Sequence, residues 1–331
     1  MKLICCTLQL ILAGLSLWWL TWDLDWSQAL RRCSNVSIVM LIAVFLQRFI
    51  PYIMLGARLA VLFPSLSIWT GFKSSVLCVA CNTIFPARLG ELVKIVWLHG
   101  RSALPYSILC NGVLWERLQD VSMLLLLSLI FAQPLLNIPV IISMGLTVGI
   151  VWISLLLLAF PRSPLRRWLL ILSLSSTKRN WITRISTVLE ECINQKKNFF
   201  GVLLGTVLVW SMNFWHVALL ANFLMDLKLS WCEIGVLCVT IFFSSALMLA
   251  PGGVGVMEAA IVTTLSLLGV DKNLALSTAI FARLYYSIPP LLGAITIVLF
   301  SGQDIASSIS GVYHSLKKLR KNRWTTREKN I

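Results

Sequence analysis

Two stretches decide the reading of this chain: Phe85-Pro86-Ala87-Arg88-Leu89-Gly90-Glu91 and Pro251-Gly252-Gly253-Val254-Gly255-Val256-Met257-Glu258. Each interrupts an apolar region, at about 70–98 and about 232–269. Proline lacks an N–H donor and kinks or breaks a helix, and glycine leaves backbone groups uncovered. The pieces on either side run to roughly 12 to 19 residues, mostly short of the roughly 20 that cross a bilayer. The pattern predicts two re-entrant helical hairpins, each entering and leaving on one side.

Around these breaks lie uninterrupted apolar runs at about 3–22, 36–60, 104–133, 138–160, 199–224 and 274–300. Hydrophobic residues make up 58% of the 331 positions and charged residues 12%, which excludes an ordinary soluble enzyme. The expected fold is all-α: a polytopic integral membrane protein with six full spans and two re-entrant hairpins. Trp18, Trp19, Trp22 and Trp26 close the first run and mark a membrane interface. No small-residue cleavage site follows that run, so it reads as a span and not as a signal peptide.

The net charge of +15 is concentrated in two places. Eight of the 28 Lys and Arg fall between Arg162 and Lys197, and seven between Lys317 and Lys329. The positive-inside rule makes both regions cytoplasmic. They flank spans and carry no binding motif, so no nucleic-acid partner is expected. Attraction to anionic headgroups, about 1 kcal/mol per basic side chain near the surface, accounts for them. An N-terminus inside and two hairpins place the loop 161–198 and the tail 311–331 in the cytoplasm together. The chain then divides into halves, about 1–135 and 136–310, each reading span, span, hairpin, span in opposite directions. That is an inverted repeat within one transmembrane domain, 1–310. Leu165, Trp168, Leu169 and Leu172 among Arg162, Arg166 and Arg167 give the linker an amphipathic helical pattern.

The repeat has a chemical counterpart. Gly90-Glu91 is followed 27 residues after the glycine by Arg117-Leu118, and Gly255 is followed 28 residues later by Arg283-Leu284. Broken segments at matching positions of inverted halves point to a midplane binding site. A charge near the centre of a membrane helix costs roughly 2.5–3.5 kcal/mol, so Arg88, Glu91, Glu116, Arg117, Asp120, Glu258 and Arg283 must face protein, water or a polar ligand. Arg88 and Glu91 share a helix face, as do Arg117 and Asp120. Arg283 has no acid near in sequence, so Glu91 or Glu258 is its expected partner. Two roles stand open: buried pairs that hold the halves together, or guanidiniums that take a lipid phosphate by planar, bidentate contacts. Gly252, Gly253 and Gly255 likewise serve either tight packing or an anion site at a helix N-terminus.

The remaining motifs carry less. Nine cysteines lie mostly in apolar segments and read as core residues. Cys78 and Cys81 have no second pair or histidine to complete a metal site, and no cofactor is expected. Asp23-Leu24-Asp25 follows the first span, where membrane glycosyltransferases using polyprenyl-phosphate sugars carry acidic pairs. A solvated loop is the simpler account. His216 reads as a hydrogen-bonded core residue.

Pro86-Ala-Arg-Leu-Gly-Glu91, Glu116-Arg-Leu-Gln-Asp120 and Pro251-Gly-Gly-Val-Gly-Val-Met-Glu258 together resemble the lysylphosphatidylglycerol synthase transmembrane-region family. Its pattern is approximately P-G-R-x-G-E, E-R-x-x-D and P-G-G-x-G-x-x-E. Ala87 stands where that pattern has glycine, and Gln47-Arg48 with Pro51 replace an expected Arg-Trp pair. The resemblance implies a flippase-like domain that moves an anionic phospholipid or polyprenyl-phosphate-linked lipid between leaflets of the cell inner membrane. It does not imply aminoacyl transfer, and the protein reads as a transporter more than an enzyme. Two alternatives remain: a transferase using a polyprenyl-phosphate sugar, with Asp23 and Asp25 near the chemistry, and a scaffold subunit partnering a lipid-modifying enzyme.

Overall fold

A computed structural model describes residues 38–85, 88–102, 104–131, 183, 196–246 and 253–328. Every regular element among them is helical. In chain order these are α1 (Ile38–Gln47), α2 (Phe49–Leu62), α3 (Ile68–Ile84), α4 (Gly90–His99), α5 (Tyr106–Phe131) and α6 (Lys196–Ala218). A π-helical turn (Leu219–Leu224) continues α6, and α7 (Trp231–Ala246), α8 (Val256–Leu267) and α9 (Lys272–Glu328) follow. The expected runs at 3–22 and 138–160, and almost all of the linker 161–198, lie outside the described residues.

Three stretches are long and apolar enough to cross a membrane: Leu41–Leu62, Phe200–Leu224 and Lys272–Phe300. They coincide with the expected spans at 36–60, 199–224 and 274–300. Helix α5, at 26 residues, covers the span expected at 104–133 but carries Glu116, Arg117 and Asp120 at its middle. Ten residues of α5 precede Glu116, so these charges lie within the helix and not at its start. Helix α9 passes through Pro289 and Pro290 and continues beyond the last apolar run to Glu328. Both interrupted regions break where expected. Helices α3 and α4 have 17 and 10 residues, and α7 and α8 have 16 and 12. At 1.5 Å per residue the longest of the four reaches only about 26 Å, less than the roughly 30 Å hydrocarbon core.

Most of the packing contacts come in matching pairs. Helix α2 lies on α3 as α6 lies on α7, α3 on α4 as α7 on α8, and α4 on α5 as α8 on α9. Two contacts exchange partners, α5 with α7 and α9 with α3, and α2 packs directly on α6. The buried hydrophobic side chains form two clusters. One gathers Leu220, Leu237, Ile261, Leu265 and Ala279, and the other Leu59, Val76, Leu98, Leu109 and Val113.

Without a hydrophobic drive inside lipid, helices are held by close contact, and small residues permit it. Gly56 on α2 meets Gly71 on α3: a Cβ on Gly56 would lie 2.5 Å from the Ile68 carbonyl oxygen and 2.5 Å from the Phe72 nitrogen. Both obstacles are backbone, so neither can swing aside. Gly56→Ala should therefore cost about 1–3 kcal/mol by overpacking. A thermal midpoint in detergent equal to that of the wild type would show that α2 and α3 separate without penalty.

Candidate functional site

Helices α2 to α7 surround a half-open cleft of about 180 Å³. Its polar lining includes Arg48, Arg88, Glu91, Arg117, Asp120 and Asn213, and its apolar wall includes Leu124, Val209, Trp210 and Phe242. Four of the residues expected from sequence thus share one space: Arg88, Glu91, Arg117 and Asp120.

Arg88 stands just before α4 with φ of 53°, a left-handed conformation that costs a side-chain-bearing residue roughly 1–2 kcal/mol. That turn sends its Nη2 to the carbonyl oxygen of Ser245, 3.0 Å away near the end of α7. Its Nε is buried without a partner. Arg88 does not pair with Glu91, although the two are three residues apart, because Arg88 precedes the helix. Glu91 Oε1 faces Arg117 Nε at 3.5 Å instead, and its Oε2 is buried with no partner. The Gly90 N–H donates to Asn82 Oδ1 at 2.8 Å, fixing the start of α4 against α3. Arg117 also approaches Asp120 at 3.4 Å, the expected i,i+3 contact, and its side chain stays 35% exposed. Its ion pairs are long, so this guanidinium is held loosely.

Glu116 is differently placed. It is fully buried, accepts from Arg58 Nε at 3.1 Å and from Lys94 Nζ at 2.6 Å, and does not line the cleft. Arg58 in turn donates from Nη1 to Asp120 Oδ1 at 2.7 Å and to Thr206 Oγ1 at 3.1 Å. The network ties α2, α4, α5 and α6 together. Glu116 therefore takes the first of its two open roles, a buried pair.

The second break closes on itself. Gly253 and Gly255 have φ of 66° and 85°, which glycine adopts without steric cost. The Gly255 N–H donates to Glu258 Oε2 at 2.8 Å, so the chain itself answers one donor at this helix N-terminus. Arg283 meets Glu258 through Nε and Nη2, the latter at 2.8 Å, and also donates to the Gly253 carbonyl oxygen at 2.9 Å. Of the two partners the sequence allowed for Arg283, the structure selects Glu258. Neither residue lines the cleft. Gly252, Asp23 and Asp25 lie outside the described residues.

Sequence reasoning misses Arg58, Lys94 and Asn213, and it notes Arg48 only as a departure from a pattern. Arg48, 6% exposed, stands between α1 and α2 and donates from Nη1 to Asn213 Oδ1 at 3.0 Å. Its guanidinium lies over Tyr286 (4.4 Å), Tyr52 (5.4 Å) and Tyr285 (5.7 Å). Arg48 and Arg58 both fall inside the apolar run 36–60, where any charge is costly; that was the available signal. His216 is fully buried 3.3 Å from the Gln47 carbonyl oxygen, as a core histidine would be. Among the described residues no cluster of three or more His, Cys, Asp or Glu could hold a metal.

The sequence profile described as the lysylphosphatidylglycerol synthase TM region matches residues 6–294. The chain belongs to that family. It is a multi-pass, all-helical membrane protein, and the match spans both breaks and the whole of the cleft. No curated protein matches the chain significantly.

Proposed function

We propose that this member of the family is a lipid translocase, which passes an anionic phospholipid or a polyprenyl-phosphate-linked lipid between leaflets through the cleft. One observation carries the reading. Arginines line a half-open space within a helical membrane body, beside buried polar atoms that the protein leaves unpartnered. Such atoms are expensive in lipid unless water or a ligand meets them. A phosphate between Arg88 and Arg117 would satisfy the first and compete with Glu91 for the second. The tails would remain against Trp210, Phe242 and the lipid outside. Family membership supports a role in membrane-lipid handling.

The reading includes a topology. Helices α3–α4 and α7–α8 form re-entrant hairpins of an inverted repeat, with both termini cytoplasmic. The paired contacts between halves, including the exchange of α5 and α9, are what a two-fold relation in the membrane plane requires. Arg88, reaching from the first break to Ser245 beside the second, then joins the tips of opposed hairpins. Its long-range bond is the contact that any rocking of one half on the other must break.

The test uses vesicles containing the purified protein and a headgroup-labelled anionic lipid, with dithionite added outside. Rapid loss of the inner-leaflet signal is expected with wild type. The rate should fall at least tenfold in Arg88→Ala, about 1.4 kcal/mol of barrier or more. Inner-leaflet signal that stays protected across several anionic lipids would remove the translocase reading.

A further inference from the structure

Among the described residues, the charges in and around the cleft do not balance. Arg58 and Lys94 are matched by Glu116 and Asp120, Arg117 is matched by Glu91, and Arg283 by Glu258. Arg48 and Arg88 are left over. Among the described residues neither makes an ion pair: Arg48 has the Asn213 amide oxygen and Arg88 the Ser245 carbonyl. Each keeps a buried Nε with no partner, and both line the same cleft. The tyrosine rings around Arg48 attract its charge but carry no net charge, so the imbalance stands.

We propose that the cleft selects a lipid headgroup bearing two negative charges, a phosphomonoester or a diphosphate, and disfavours singly charged phosphodiester lipids. This deepens the translocase reading and rests on it. A phosphomonoester carries nearly two charges at neutral pH and presents three acceptor oxygens. It neutralises both surplus guanidiniums, whereas a phosphodiester neutralises one and leaves the other in a medium of low dielectric. Arg48 enters from the junction of α1 and α2 and Arg88 from the first break, so the two approach the group from different parts of the chain. The apolar wall beside them fits a lipid source and not a free anion.

Asn213 is the point of control. Aspartate there would place a carboxylate oxygen where the amide oxygen already accepts from Arg48, with almost no change in shape. The variant should fold at least as stably as wild type while giving Arg48 an internal counter-ion. Asparagine at this position thus leaves a charge for the ligand to meet.

The experiment compares binding of short-chain phosphatidic acid with its phosphatidylmethanol counterpart, which differs by one methyl group and one charge. Inorganic pyrophosphate is the competitor, and the full chain is held in neutral detergent. Wild type should prefer phosphatidic acid at least tenfold, and Asn213→Asp should lose most of that preference with its thermal midpoint kept. Asn213→Ser, which adds no charge, should retain the preference. Equal binding of the two lipids by wild type overturns the inference. So does an undiminished preference in folded Asn213→Asp. Competition by pyrophosphate at the lipid's own concentration assigns the site to a free diphosphate and overturns the lipid assignment. If both lipids bind and cross equally in an Arg88-dependent way, the charge selectivity fails and the translocase reading stands. If neither binds nor crosses, both fail.

Discussion

Glu116→Gln is expected to be among the most destabilising single changes in the protein, costing about 3–5 kcal/mol because it leaves buried cations without their acid. Arg58 and Lys94 both converge on that carboxylate, and both are about 1% exposed. With Glu116 neutralised, Arg58 keeps Asp120, but Lys94 keeps no carboxylate. Adding Lys94→Met should therefore restore much of the loss, since the double variant retains a balanced Arg58–Asp120 pair in an otherwise apolar setting. Groups sharing one network depart from additivity by about 0.5–3 kcal/mol, so a double-mutant cycle on thermal midpoints in detergent reads the coupling directly. Additive losses would mean that Lys94 reaches water in the membrane-embedded protein.

Arg283→Ala and Arg117→Ala should part company, although the two arginines follow their break glycines at nearly the same spacing, 28 and 27 residues. Arg283 makes bidentate contact with a Glu258 that is 6% exposed, and it also ties down the Gly253 carbonyl oxygen. Its loss strands a buried acid and frees the turn that starts α8, again about 3–5 kcal/mol. Lysine should not rescue it, because an ammonium cannot reproduce the planar fork. Arg117 is one-third exposed, with ion pairs of 3.4 and 3.5 Å. Its loss should leave the thermal midpoint within a few degrees of wild type while lipid movement in the dithionite assay collapses. Unfolding of both variants, or of neither, would remove the distinction between a closed second break and an open first one.

The local half of this structure was legible in the sequence. Length of apolar run located α2, α5, α6 and α9, and the Pro/Gly elements located both breaks, because chain chemistry within a few residues decides them. Arg117 with Asp120, and Arg283 with Glu258, could be anticipated from helical spacing and from the cost of an unmatched charge. The same reasoning did not find that Arg58 answers Glu116, or Arg48 Asn213. Those partners are 58 and 165 residues apart and meet only once helices pack. Local spacing was misleading at Arg88 and Glu91, which are three apart yet turn to different partners, Ser245 and Arg117. Symmetry in the motifs also suggested symmetry of role. The two breaks share a pattern, but among the described residues only the first contributes to the cleft lining, while Glu258 folds back onto the start of its own helix.

Water and a charged headgroup should enter the space between Arg48, Arg88 and Arg117 in the membrane-embedded protein. Single cysteines in a cysteine-free background test it with a membrane-impermeant, negatively charged thiol reagent applied to the protein in vesicles. Val121 and Val209 line the cleft from α5 and α6, whereas Leu126, also on α5, does not line it. Val121→Cys and Val209→Cys should react, and phosphatidic acid should slow them; Leu126→Cys should not react. Silence at both cleft positions, or labelling no faster there than at Leu126, would contradict the account.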